Sequence, residues 1–217
     1  MNKNNFIKQY MSFLTQKDVV VLAGKSICQE SSNYVNSETF RFDDDYGYGM
    51  SLALGMAMGT NKRVYIICDD YYLLKDLCTV AHMGISKLSN LFIVIIVTGY
   101  YPFTKNMPTI ATSLPNIKGL LFSSGFTIHD YTAHFKTQVT AKAIKSWITT
   151  SRGPLAVFMY PDKTKETYKQ TNEPDRGITF EQIIKLKEAL KDETTSLFTP
   201  PFIGWRVDQA IDQVEEK

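Results

Sequence analysis

Four short stretches of this 217-residue chain carry residue types suited to chemistry at the end of a strand. Gly24-Lys25-Ser26 offers backbone N–H donors, a cation and a hydroxyl, a set that can cradle a phosphate. Where a P-loop needs a glycine five positions earlier stands Val19, so the Walker arrangement is excluded and an ordinary turn is an equal reading. Tyr46-Gly47-Tyr48-Gly49 has the first two glycines of a dinucleotide fingerprint, but the third position is Leu52. Gly47, Gly49, Gly55 and Gly59 then read as sites of close backbone approach and tight helix packing. Asp69-Asp70 closes an apolar run and could hold Mg²⁺ against a diphosphate; taken alone, it reads better as a strand end meeting solvent. Thr98-Gly99-Tyr100-Tyr101 follows the most apolar run and leads into Phe103-Thr104-Lys105-Asn106-Met107-Pro108-Thr109. Asp43-Asp44-Asp45 reads as a solvated loop rather than a metal site.

The elements that must position these residues alternate in kind. Asp18–Gly24, Arg63–Asp70, Leu91–Val97 and Pro154–Tyr160 are near-continuous apolar runs rich in β-branched residues, the pattern of strands buried on both faces. Helical patterns fall between them, over Met50–Met58, Tyr72–Met83, Ile117–Ser124 and Val139–Ser151. Strand–helix alternation of this pitch predicts an α/β fold, doubly wound, with a mainly parallel sheet and helices on both faces. A short amphipathic helix over Asn5–Leu14 precedes the first strand. The α/β domain is expected over residues 1–161. Residues 162–217 form a polar linker, a helix from Thr179 to Asp192 and an aromatic, proline-rich arm around Trp205.

Composition removes several classes of function. Residues 1–161 hold 15 basic and 10 acidic groups, and residues 162–217 hold 9 and 12. The resulting +5 body suits a small anion but lacks the basic stripe of a nucleic-acid binder. Seven residues, Leu91–Val97, make the longest apolar run, too short to span a membrane, and no signal-peptide core is present. Cys28, Cys68 and Cys78 are too few for a disulfide framework or a zinc site. A reducing, cytoplasmic setting is the expectation. His82 sits in a helical pattern and reads as structural; His129 and His134 receive no role.

In their order along the chain, the four stretches resemble the cofactor-binding domain of thiamine-diphosphate-dependent 2-oxo acid decarboxylases, most closely the phosphonopyruvate and sulfopyruvate decarboxylases. Ala23-Gly-Lys-Ser-Ile-Cys-Gln-Glu30 is similar to that family's T-G-K-T-S-R-E-L loop. The segment from Tyr46 to Met58 is similar to its S-M-G-L-A-S-S-I-G-L-G-L-A, and Cys68-Asp69-Asp70 to its G-D-G. Asn90–Tyr101 follows N-L-x-I-I-V-L-D-N-G-V-Y, and Phe103–Thr109 follows S-T-G-G-Q-P-T. Ser123–Phe126 and Gly153–Val157 match the late helix and last strand, so the likeness covers roughly residues 14–161.

The resemblance implies thiamine diphosphate and Mg²⁺ as cofactors. Asp69, Thr98 and the main chain of Tyr100 would hold the metal. Gly24, Lys25 and Ser26 would face the diphosphate, and Gly47 the aminopyrimidine. Tyr46, Asp70 and Thr104 complete the implied cofactor contacts. Five residues depart from the pattern. Asp70 replaces a glycine and adds charge where phosphate approaches; a like-charge pair at ~4 Å costs about 1 kcal/mol in water and about 4 at an effective dielectric of 20. Thr98 replaces an amide ligand by a hydroxyl, Tyr46 replaces a methionine, and Lys105-Asn106 replaces a glycine pair. The family's activating glutamate lies on a separate pyrimidine-binding domain, so the resemblance implies a second polypeptide, a homo-oligomer, or both. Two functions are expected: the cofactor-binding subunit of a decarboxylase acting on a small-molecule 2-oxo acid, or a catalytically degenerate relative with a binding, structural or regulatory role.

Overall fold

The computed structural model describes residues 3–31, 39–42, 47–101, 107–109, 117–130 and 139–161. Six strands form one sheet: β1 (Val19–Ala23), β2 (Thr39–Phe42), β3 (Val64–Asp69), β4 (Leu91–Ile96), β5 (Thr127–Asp130) and β6 (Leu155–Met159). Their order is β2-β1-β3-β4-β6-β5, and every pairing is parallel. Central strands β1, β3, β4 and β6 are buried along their whole length, as their unbroken apolar runs require.

Because side chains alternate across a pleated sheet, each strand feeds two cores. Val19, Val21, Ile66, Cys68, Ile93 and Ile95 point to one face, and Val20, Leu22, Tyr65, Ile67, Phe92 and Val94 to the other. The first face is covered by α3 (Tyr48–Gly59), α4 (Asp70–Lys75), α5 (Leu77–Ile85) and α6 (Ile117–Ser123). The second is covered by α1 (Lys3–Met11), α2 (Lys25–Glu30) and α7 (Val139–Thr150). This is the doubly wound α/β architecture expected from the sequence. Asn90, just before β4, locks the edge beneath: its side-chain amide donates to the carbonyls of Ala57 (3.0 Å), Thr60 (2.8 Å) and Lys62 (3.0 Å).

Several expectations need correction. The single helix over Tyr72–Met83 is two helices, because Asp76 leaves the helical conformation and caps α5 by accepting the Thr79 N–H at 3.2 Å. Lys25 and Ser26 are not a loop but the first residues of α2, reached directly from Gly24 at φ 98°. Strands β2 and β5 lie at the sheet margins and were not anticipated. The tight-packing reading fails at Gly55, where an added Cβ would meet nothing within 4 Å. The helix read over Thr179–Asp192 and the aromatic arm lie outside the described residues, as do Asp43, Asp44 and Asp45.

Two glycines therefore make opposite predictions. A Cβ on Gly84 would lie 2.4 Å from the Ser124 carbonyl oxygen and 2.8 Å from its carbon, with the Phe126 ring at 3.0 Å, so backbone would have to shift. Gly84→Ala is expected to lower stability by about 1–3 kcal/mol or more. Gly55→Ala, in the open middle of α3, should raise it by up to about 1 kcal/mol through helix propensity. Urea unfolding of the two variants checks the pair, and equal effects would refute the packing assignment.

Candidate functional site

In an open parallel sheet, ligands bind beyond the carboxyl ends of the strands where the winding direction reverses. Here the chain steps outward from β1 to β2 on one side and to β3 on the other, so the crevice lies beyond Ala23 and Asp69. Those strand ends carry Gly24, Ser26, Asp69 and Asp70.

Gly24 makes the turn. Its left-handed φ disfavours a side chain, and a Cβ there would sit 3.4 Å from the Tyr72 ring and 3.6 Å from Asp69 Oδ2. Ser26 is buried, and its hydroxyl accepts a hydrogen bond from the ammonium of Lys3 at 2.8 Å. Lys3 is itself almost wholly buried, so the first described helix places a positive charge beside the β1–α2 turn. Lys25, next to it, is half-buried at the start of α2.

The two aspartates do not meet solvent as strand-end acids usually do; Asp69 is 4% exposed and Asp70 is 0%. Asp69 caps α4, accepting the Tyr72 N–H on Oδ1 at 2.7 Å. Burial, reinforced by the neighbouring charge of Asp70, holds its carboxyl up at about 6; the Tyr72 hydrogen bond, Lys3 and Lys75 pull the other way. Asp70 turns toward β4. Its Oδ1 accepts from the backbone N–H of Thr98 and from the Thr98 hydroxyl, both at 2.9 Å. The Gly99 N–H approaches both oxygens, at 3.4 and 3.3 Å, and the Thr109 hydroxyl donates to Oδ2 at 2.6 Å. The Thr98 hydroxyl also lies 3.4 Å from the Tyr100 carbonyl oxygen.

Thr98, Tyr100 and Asp70 are thus brought together, while Asp69 faces Gly24. Tyr46 and Thr104 lie outside the described residues, as do Lys105 and Asn106. Gly47, at φ 86°, begins α3, and a Cβ there would meet that of Asp76 at 3.2 Å. Its glycine is therefore accounted for by the approach of the α4–α5 junction. Three contributors were missed as site residues by the sequence reading. Lys3 has no local signal. Tyr72 bridges elements through its hydroxyl, which accepts the Gly49 N–H at 2.9 Å. Thr109 was visible only as the last residue of a quoted motif. Cys68, buried in the first of the two cores, has its thiol pushed well up by burial, which disfavours the nucleophilic thiolate.

For a magnesium-bound diphosphate the arrangement is a poor fit. Anion binding needs inward-facing donors, and here the Thr98 and Gly99 amides and two threonine hydroxyls already serve Asp70. Among the described residues no three His, Cys, Asp or Glu side chains gather as a metal shell.

No family model and no curated protein sequence matches the chain. Solved structures do. A proposed thiamin diphosphate-dependent enzyme from Mycobacterium smegmatis superposes with a TM-score of 0.59 at 16% identity, over 74% of this chain and 32% of that one. Benzoylformate decarboxylase from Polynucleobacter necessarius gives 0.59 at 13% identity, over 76% and 34%. The thiamine diphosphate-dependent 4-hydroxybenzoylformate decarboxylase of Rhodococcus jostii gives 0.58 at 12%, over 75% and 33%. The chain therefore has the fold of one portion of these enzymes, and matches about a third of their length. Among the described residues no helix is long and apolar enough to cross a membrane.

The raised Asp69 carboxyl sets a pH dependence. Its pKa in the fold is about 6 against an ordinary 3.8, so the folded chain binds the proton more tightly between those values. Stability then falls as pH rises from about 4 to about 6, and stays lower above that. Asp69→Asn keeps an oxygen to cap α4 and removes the charge. It should be more stable than the parent at pH 7 by up to about 3 kcal/mol, the gain vanishing near pH 4. Urea midpoints at the two pH values test this, and a variant less stable at pH 7 would contradict it.

Proposed function

We propose that this chain is a thiamine-diphosphate-fold subunit that has given up magnesium diphosphate binding and acts by binding, as a structural or regulatory partner in a larger assembly. The observation that carries the proposal is the buried Asp70 carboxylate, which takes for itself the amide and hydroxyl donors that follow β4, beside the strand-end crevice. A phosphate entering there meets a resident anion and finds those donors spent. The natural partner for such a subunit is a polypeptide with the pyrimidine-binding domain or another copy of the chain, since the fold matched covers only part of its solved counterparts.

A second reading is favoured by a separate observation, the position of Asp69 at the carboxyl end of β3 beside a left-handed Gly24. On that reading the chain is the cofactor-binding subunit of a decarboxylase acting on a 2-oxo acid of the phosphonopyruvate or sulfopyruvate kind. Asp69, Thr98 and the Tyr100 carbonyl would then hold Mg²⁺, and Gly24, Lys25 and Ser26 would meet the diphosphate. Asp70 would have to release its donors first. The cofactor, once bound, would supply the carbanion chemistry.

Calorimetric titration with thiamine diphosphate and Mg²⁺ separates the two readings. The full chain, alone and with a pyrimidine-domain partner, is expected to show no saturable heat. The double variant Asp70→Gly, Thr98→Asn, confirmed folded by circular dichroism, is expected to bind. Binding by the unaltered chain would overturn the first reading and establish the second.

A further inference from the structure

A second concavity lies at the opposite end of the strands from Asp69 and Asp70. It occupies about 500 Å³ between the Thr15–Asp18 turn, the Asn61–Arg63 turn and the end of α7. It is a shallow groove, largely open to solvent, rather than an enclosed cavity. Its charge is lopsided: Lys17, Lys62 and Arg63 line it against one carboxylate, Asp18.

The negative groups nearby are already satisfied. Asp18 Oδ2 accepts from the Thr15 N–H and the Thr15 hydroxyl, both at 2.8 Å. The carbonyl end of α7, which would repel an anion, is capped from within. Arg63 Nη2 donates to the Thr149 carbonyl at 2.9 Å, and the Tyr65 hydroxyl donates to the Ile148 carbonyl at 3.1 Å. These bonds, and the Phe92 ring 5.7 Å beneath it, fix the Arg63 guanidinium in place with N–H donors to spare. The Lys17 ammonium has no ion-pair partner among the described residues. Phe13 and Ile148 supply apolar wall.

We propose that this groove binds a phosphorylated small molecule bearing an apolar or aromatic group. The phosphate dianion meets the N–H donors that Arg63 does not use on Thr149 and Tyr65, together with the exposed Lys17, and Lys62 adds to the positive field at the rim. The apolar group lies against Phe13 and Ile148. This site is independent of the reading given to Asp70, since no residue is shared between the two ends of the sheet.

The test uses the full chain, isotope-labelled, titrated with phenyl phosphate as the probe and followed by amide shifts. Saturable shifts are expected in residues 15–18 and 61–63, with inorganic phosphate and benzoate each about fivefold weaker or more because one part of the ligand is missing. Lys17→Glu with Lys62→Glu should weaken phenyl phosphate at least about tenfold while the rest of the spectrum is retained. Lys17→Gln, a change at an exposed position, should weaken it by about threefold and serves if the double variant does not fold. Absence of saturable shifts at these amides up to about 20 mM overturns the proposal. So does an affinity unchanged by the lysine substitutions, or benzoate binding as tightly as phenyl phosphate.

Discussion

A fully buried carboxylate persists in a folded chain only when its oxygens are hydrogen-bonded, because desolvation of an unpartnered charge costs several kcal/mol. Asp70 meets that condition with donors from three residues in two places in sequence: Thr98 with Gly99, and Thr109. The carboxylate thereby ties the end of β3 to the end of β4 and to a segment eleven residues beyond. Asp69 faces the other way and caps α4, which in turn sets Tyr72 against Gly24 and under Gly49. Two adjacent acids thus hold together most of what surrounds the strand-end crevice.

The same pair explains why the crevice is electrostatically unusual. Lys3 and Lys75 act on Asp69 from either side, yet burial outweighs them and the carboxyl remains at about 6. Here polarity has been turned inward, with an ammonium on Ser26 and a carboxylate on the backbone of Thr98 and Gly99. Fold and site are separate matters: the sheet has the architecture seen in the solved structures, while the Thr98, Gly99 and Thr109 donors serve the chain itself.

The central sheet was legible because a strand buried on both faces needs an unbroken apolar run, and β1, β3, β4 and β6 have one. Thr39–Phe42 and Thr127–Asp130 carry no such signal; β5 is largely half-exposed, and its Thr-Ile-His-Asp sequence resembles a turn. The helix break at Asp76 was hidden by apolar residues on both sides of it, Leu73, Leu74 and Leu77, which continue one pattern through two helices. Within the candidate site, the strand ends could be located from sequence, and of the residues named there the structure brings Asp70, Thr98 and Tyr100 together. Their burial could not be read. Adjacent aspartates have the local composition of a solvated end, and what buries them comes from Thr109, 39 residues on, and from the α1 side of the sheet. Such partners are set by topology, which has no local spelling.

The Asp70 network also makes the crevice hard to alter one residue at a time. Replacing Asp70 by glycine in one step would strand the amide of Gly99 and the hydroxyl of Thr109 without their acceptor, at about 1–3 kcal/mol for each buried donor. A marginally stable domain tolerates few such losses. Changes within the network are therefore costly one at a time and tolerable only in combination. The effect of a substitution at Thr98, Gly99 or Thr109 depends on whether Asp70 is present, so these positions are coupled and the surface of the chain is freer to vary than this crevice.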